Sequence, residues 1–169
     1  MIVIRATQRL LKNSGTKPAE PPETTAVLGD WFATSTVLPG RRPVVLYVSS
    51  ATLIAVLIPG RAIHTTLPGF RGRLSALLHR LGSPREWADR VVAETAEHAV
   101  ARTNSRRMLG IMNRVVASMP YYPDETLDAL EMRLADTPYS APVSPGYLFP
   151  TTAIANLAGQ PELAENGCG

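Results

Sequence analysis

Ile2, Ile4 and Ala6 alternate with Val3, Arg5 and Thr7, the period of two that a strand imposes on its two faces, and this predicts a strand over residues 2–7. Residues 8–12 read as a helical turn. From Asn13 to Thr25 the chain is almost free of apolar side chains and holds Pro18, Pro21 and Pro22, which predicts a solvated loop. Residues 31–38 place Trp31, Ala33, Ser35 and Val37 on one strand face, while Leu28, Trp31 and Ser35 would also fit a helical stripe. The turn dipeptide Pro39-Gly40 and the neighbouring β-branched residues favour the strand. Residues 43–48 and 53–58 are continuous apolar runs separated by Ser49-Ser50-Ala51 and closed by Pro59-Gly60, so a three-stranded meander is expected. Runs apolar at nearly every position need cover on both faces, which helices must supply.

Helical spacing takes over in the second half. Phe70, Leu74, Leu77, Leu78 and Leu81 fall on one stripe of a helix predicted to begin near Pro68 and to stop at Gly82, with Arg71, Arg73, His79 and Arg80 on its other side. Ser83-Pro84-Arg85-Glu86 carries the signature of a capped start, with a proline at the first helical position and a capping-box glutamate. On that helix Trp87 and Val91 face inward. His98 to Arg102 fits a short strand. Met108, Leu109, Met112, Val115, Val116 and Met119 then repeat at helical spacing up to Pro120, and Leu127, Leu130 and Leu134 mark a helix over 124–135. Beyond Tyr139 proline and glycine recur, so residues 139–169 are expected to form a largely irregular tail, with a helical turn or a docked segment at 152–158 as the alternative.

The expected fold is α+β, one domain over 1–138: a small, mainly antiparallel sheet covered by about four helices at 68–81, 84–96, 104–119 and 124–135. A chain of 169 residues with 45% apolar content suffices for one core. Residues 51–58, the longest apolar run, are far too short to cross a bilayer, so no membrane association is expected. The amino terminus has no signal-peptide pattern, and the lone Cys168 allows neither an internal disulfide nor a cysteine zinc site, which fits the reducing cytoplasm.

The net charge is only +3, from 17 basic and 14 acidic residues, a weak bias for a polyanion binder. Lys12 and Lys17 are the only lysines, so 15 of the basic residues are arginine. Together with abundant alanine, valine and proline this matches a GC-rich bacterial or phage genome, and codon usage alone accounts for the arginine.

Polar chemistry on a predictable scaffold is densest at Arg102-Thr103-Asn104-Ser105-Arg106-Arg107. A helix start exposes unpaired N–H groups and partial positive charge, so capping by Thr103, Asn104 or Ser105 followed by Arg106 and Arg107 suits an anion such as phosphate. Arg106, Gly110 and Asn113 share a stripe, with Arg107 and Arg114 beside it. The plainer reading is that the hydroxyls cap the helix, Gly110 admits a close neighbour, and the arginines pair with Glu94, Glu97 or solvent. Arg5, Thr7 and Arg9, at alternate positions, would share one strand face and could extend a basic groove. The methionines read as core filler, and Trp31, Tyr121 and Tyr122 as packing aromatics with ligand stacking as the alternative.

Enzyme motifs are incomplete. His64, His79 and His98 lack ligand spacing, so no metal or cofactor is expected. Ser14-Gly15-Thr16-Lys17 matches the Ser-x-x-Lys pattern of penicillin-binding enzymes but lies in a loop without the companion motifs, and neither a phosphate-binding loop nor a dinucleotide fingerprint is complete. Asp124, Glu125 and Asp128, like Glu94 and Glu97, read as solvated helix faces.

The opening Met1-Ile2-Val3-Ile4-Arg5-Ala6-Thr7-Gln8-Arg9-Leu10-Leu11, the segment from Thr24 to Ala33, and Arg102 to Asn113 resemble an uncharacterised bacterial family catalogued only as a domain of unknown function. The resemblance covers approximately positions 1–138. The family pattern has lysine near Arg102, serine near Arg107 and an acidic residue after the asparagine, where this chain has Arg114, a reversal of charge. It implies a shared fold and a shared site at Thr103, Arg106, Gly110 and Asn113, and no activity. The function expected is therefore unassigned, with a non-enzymatic protein recognising an anionic, phosphate-bearing partner, nucleic acid included, as the leading reading. Alternatives are a phosphoryl-transfer or hydrolytic enzyme built on the 103–114 helix start, and a purely structural protein-interaction domain.

Overall fold

The computed structural model describes residues 1–140 and 146–166, with the backbone alone described at 140 and 160–166. Five strands build the principal sheet: β1 (Ile2–Ala6), β2 (Trp31–Leu38), β3 (Arg42–Ser49), β4 (Ala55–Pro59) and β5 (His98–Arg102), in the order β4-β3-β2-β1-β5. The expected antiparallel meander is β2-β3-β4, its first turn carried by positive φ at Gly40 and Arg41. The sheet is mixed because β1 pairs in parallel with both β2 and β5.

Strand alternation sorts the apolar side chains onto two faces. Ile4, Trp31, Tyr47 and Val56 face α1 (Gln8–Ser14), α2 (Ile63–Arg80) and α3 (Arg85–Ala93), where Phe70 meets Trp31 edge-on at 4.9 Å between ring centres. Phe32, Leu46, Val48 and Leu57 face α4 (Arg106–Ser118) and α5 (Leu127–Ala135), with Met108, Met112 and Met119 buried among them as core filler. The class is α+β, in three layers, as the hydrophobic pattern predicts.

Several boundaries differ for local reasons. Helix α2 starts a turn before Pro68, which lies inside it. The cost is small, because the missing N–H deprives only the exposed His64 of its usual helical donor, and the Ser14 hydroxyl accepts the first helical N–H, of Ile63, at 2.8 Å. The capping box at Ser83 does not form: Pro84 occupies the cap position with no side-chain bond, and the buried Ser83 Oγ has no partner. Helix α5 starts at Leu127, later than 124, since Thr126 is its cap and accepts from the Ala129 N–H at 3.1 Å.

Within the Pro/Gly-rich tail, β6 (Tyr139–Ser140) pairs with β7 (Tyr147–Leu148), and α6 (Pro150–Asn166) follows. Ile154 of α6 is buried in the first core layer, and the Thr151 hydroxyl donates to the Ala135 carbonyl at 2.6 Å, so residues 152–158 take the docked, helical alternative. Among the described residues no helix is long and apolar enough to cross a membrane.

Candidate functional site

The chain leaves β1 and β5, neighbours in parallel, in opposite directions. Thr7 caps α1, whose Leu10 and Leu11 pack on one face of the sheet, whereas the loop after β5 sends α4 to the other face. In open sheets such a divergence leaves a crevice at the carboxyl ends of the strands, where ligands bind. The two exits are tied together by the Thr103 N–H, which donates to the Ala6 carbonyl at 3.2 Å.

A groove of about 600 Å³ lies there, lined by Arg5, Lys17, Glu20, Arg102, Thr103 and Asn104 among others. Its outer wall is the segment 17–21, which runs beside β5 and is pinned by the Ala19 N–H on the Val100 carbonyl at 2.8 Å. An adjoining recess of about 330 Å³ shares Lys17, Pro18 and Arg102 with the groove and adds Gln8 and Lys12. Both lysines of the chain therefore gather at one site. The Arg5 guanidinium is already neutralised by Asp30. Lys12, Lys17 and Arg102 have no ion pair among the described residues, and against them the groove's lining sets the single carboxylate of Glu20, which leaves an excess of positive charge there.

Of the residues singled out from sequence, Thr103, Asn104 and Arg5 line this groove. Ser105 is the cap of α4, accepting from the Met108 N–H at 3.2 Å. Arg106, Arg107 and Asn113 are exposed on α4 and line none of the cavities described here. Gly110 is also exposed, and a Cβ there would meet nothing within 4 Å, so it admits no close neighbour. Arg5, Thr7 and Arg9 do not share a strand face, because the strand ends at Ala6. Thr7 hydrogen-bonds Thr34 and caps α1, while Arg9 lies within α1 and lines a different cleft beside Arg61. Lys12 and Lys17 escaped sequence reasoning, and Arg102 entered it only as the opening residue of the helix-start motif. The one visible signal of the two lysines was the confinement of lysine, in an arginine-rich chain, to a span of six residues around one turn.

Several other sequence candidates have structural partners, whereas Tyr121, expected to pack, is 81% exposed. The Ser14 hydroxyl donates to Leu10 and accepts from Ile63, so its Ser-x-x-Lys context is occupied by packing. Trp31 is buried, and Tyr122 stacks under the Arg133 guanidinium. His64 and His98, distant in sequence, line one cleft with Arg71, while His79 bonds the Ser75 carbonyl. Among the described residues no group of three His, Cys, Asp or Glu could hold a metal ion.

The strongest electrostatic anomaly lies at the far edge of the sheet. Glu131 on α5 is fully buried, bonded to Arg73 and Arg80 of α2, and its carboxylate accepts the Leu57 N–H at 3.2 Å. Burial pushes its carboxyl up to about 6, against the pull of Arg73, the Leu57 N–H and Arg80. Asp128, expected to be merely solvated, joins the same arginines. The carboxylates and guanidiniums of this cluster turn toward one another around the edge of β4 as a structural clasp, although Arg73 Nε, Arg80 Nε and Arg80 Nη1 are buried without a hydrogen-bond partner.

Comparison with known proteins agrees with the resemblance read from the amino-acid sequence. Neither a curated protein nor a solved structure matches the chain. A family model described as Domain of unknown function (DUF6933) matches residues 3–153, spanning the five-stranded sheet but for Ile2, together with the groove, and the chain belongs to that family.

Proposed function

We propose that this protein binds a phosphate-bearing anion in the groove between the carboxyl ends of β1 and β5. The observation that carries the reading is the convergence of Lys12, Lys17 and Arg102, which outnumber the one carboxylate of the lining, Glu20, on the diverging exits of two parallel strands. Thr103 and Asn104 add short polar side chains on the same wall, suited to orienting an oxyanion that the cations attract. The volume of the groove is that of a small-molecule site, which favours a nucleotide-sized ligand over a long strand of nucleic acid. No general base belongs to the argument, so the reading is of binding and not of catalysis.

A fluorescent nucleoside triphosphate and a labelled single-stranded oligonucleotide, titrated at low salt, test the proposal. Lys17→Ala combined with Arg102→Ala should weaken binding by at least about tenfold, the worth of one charge-assisted contact. Arg106→Ala with Arg107→Ala weighs the helix-start reading separately and should have the smaller effect. Affinity indifferent to the Lys17 and Arg102 changes would overturn the assignment.

A further inference from the structure

A second polar cleft lies away from the groove, under α1 on the layer that also holds α2. Arg9 and Asn13, one helical turn apart on α1, line it together with Arg61 from the segment entering α2 and with Ser35 and Thr36 of β2. Among the described residues neither Arg9 nor Arg61 has an ion pair. Two guanidinium groups brought to one small cleft repel each other unless something negative lies between them. Ser35 contributes an independent sign: its Oγ is sealed from solvent and has no hydrogen-bond partner, although hydroxyls in such positions are ordinarily satisfied.

Size narrows the chemistry. The cleft measures about 100 Å³, a sixth of the groove's volume of about 600 Å³. That suits one tetrahedral oxyanion and little more. Two planar forks, a carboxamide and a hydroxyl offer the donors that phosphate oxygens use, and arginine matches them in a bidentate way. We propose that Arg9, Arg61, Asn13 and Ser35 form a binding site for a single phosphate group, either the free ion or the head of a phosphate monoester. The site is separate from the groove and does not depend on the function proposed for it.

The test is a ³¹P NMR titration of the full chain with inorganic phosphate and, in parallel, with phenyl phosphate. With the groove disabled by Lys17→Ala and Arg102→Ala, adding Arg9→Ala and Arg61→Ala should weaken the remaining binding at least about tenfold, which keeps failure here distinct from failure of the groove. Both arginines are exposed, so the fold survives their removal. Lysine at both positions should restore only part of the affinity, since charge returns without the fork. Binding of inorganic phosphate alone identifies the free ion as ligand, and binding of phenyl phosphate identifies the monoester. Binding untouched by loss of Arg9 and Arg61, or an absence of binding by both probes, would overturn the site.

Discussion

Glu131 accepts the N–H of Leu57 at 3.2 Å and thereby occupies a backbone donor on the outermost strand of the sheet. Exposed edge donors invite pairing with other chains, and an inward-facing charge is one way of refusing it. Here the same carboxylate also reaches Arg73 and Arg80, so α2 on one face and α5 on the other are clasped around β4.

Removing the clasp should be expensive. Glu131→Ala strands the Leu57 N–H and leaves two three-quarters-buried guanidiniums without their main partner, and should cost about 3 kcal/mol in urea unfolding. Glu131→Gln keeps an acceptor for Leu57 and should cost about half as much. Equal losses in the two variants would show that the backbone bond contributes nothing.

Glu131 also sets a pH dependence of unusual sign. Its carboxyl is raised from 4.5 to about 6 in the fold, so between those values the folded chain holds more proton than the unfolded one. Stability from this residue therefore grows as pH falls through that window and is lost as pH rises, by about 2 kcal/mol in all. The difference in stability between the unaltered protein and Glu131→Gln should widen toward acid. A difference that narrows would place the carboxyl below its ordinary value.

Tyr47 and Tyr139 should part company when each loses its hydroxyl. Burial pushes both phenols to about 12, but Tyr47 shares a 2.7 Å hydrogen bond with Thr66 whereas Tyr139 Oη has no partner. Tyr47→Phe should cost about 1 kcal/mol at neutral pH, and Tyr139→Phe should be neutral or slightly stabilising. Both folded phenols keep their protons where the unfolded ones, at about 10, lose them. Stability then falls as pH climbs from 10 toward 12, and each substitution should flatten that fall in a thermal melt.

Gly110→Ala should stabilise the protein by about 0.5–1 kcal/mol, because the site is helical, exposed and empty around a new Cβ. Nucleotide affinity should be unaltered. A drop in affinity at constant fold would show that α4's outer face approaches the ligand after all.

What was legible along the chain were elements whose reasons are local. The bounds of β2 follow from the alternation of Trp31, Ala33 and Val37 and from the Pro39-Gly40 turn, and α4 from its methionine stripe. The parallel pairing of β1 with β5 joins residues nearly the whole sheet-forming length apart, and no periodicity announces it. Glu131 was hidden differently. It follows Leu127 by one turn and precedes Leu134 by another, inside the buried stripe, yet acidic neighbours at 124, 125 and 128 made the whole set look solvated. The groove was half visible, since Thr103 and Asn104 stood in a recognisable helix-start motif. Lys12 and Lys17 sat in and beside a loop whose polarity explained itself, and only the pinning of Ala19 to Val100 brings that loop to the carboxyl end of β5.

That pinned loop gives one short peptide two duties: it walls the groove and shields the last strand from strangers. A proteolytic nick between Lys17 and Pro21 would dismantle both together, so a molecule whose groove has fallen open would also be the one prone to clump.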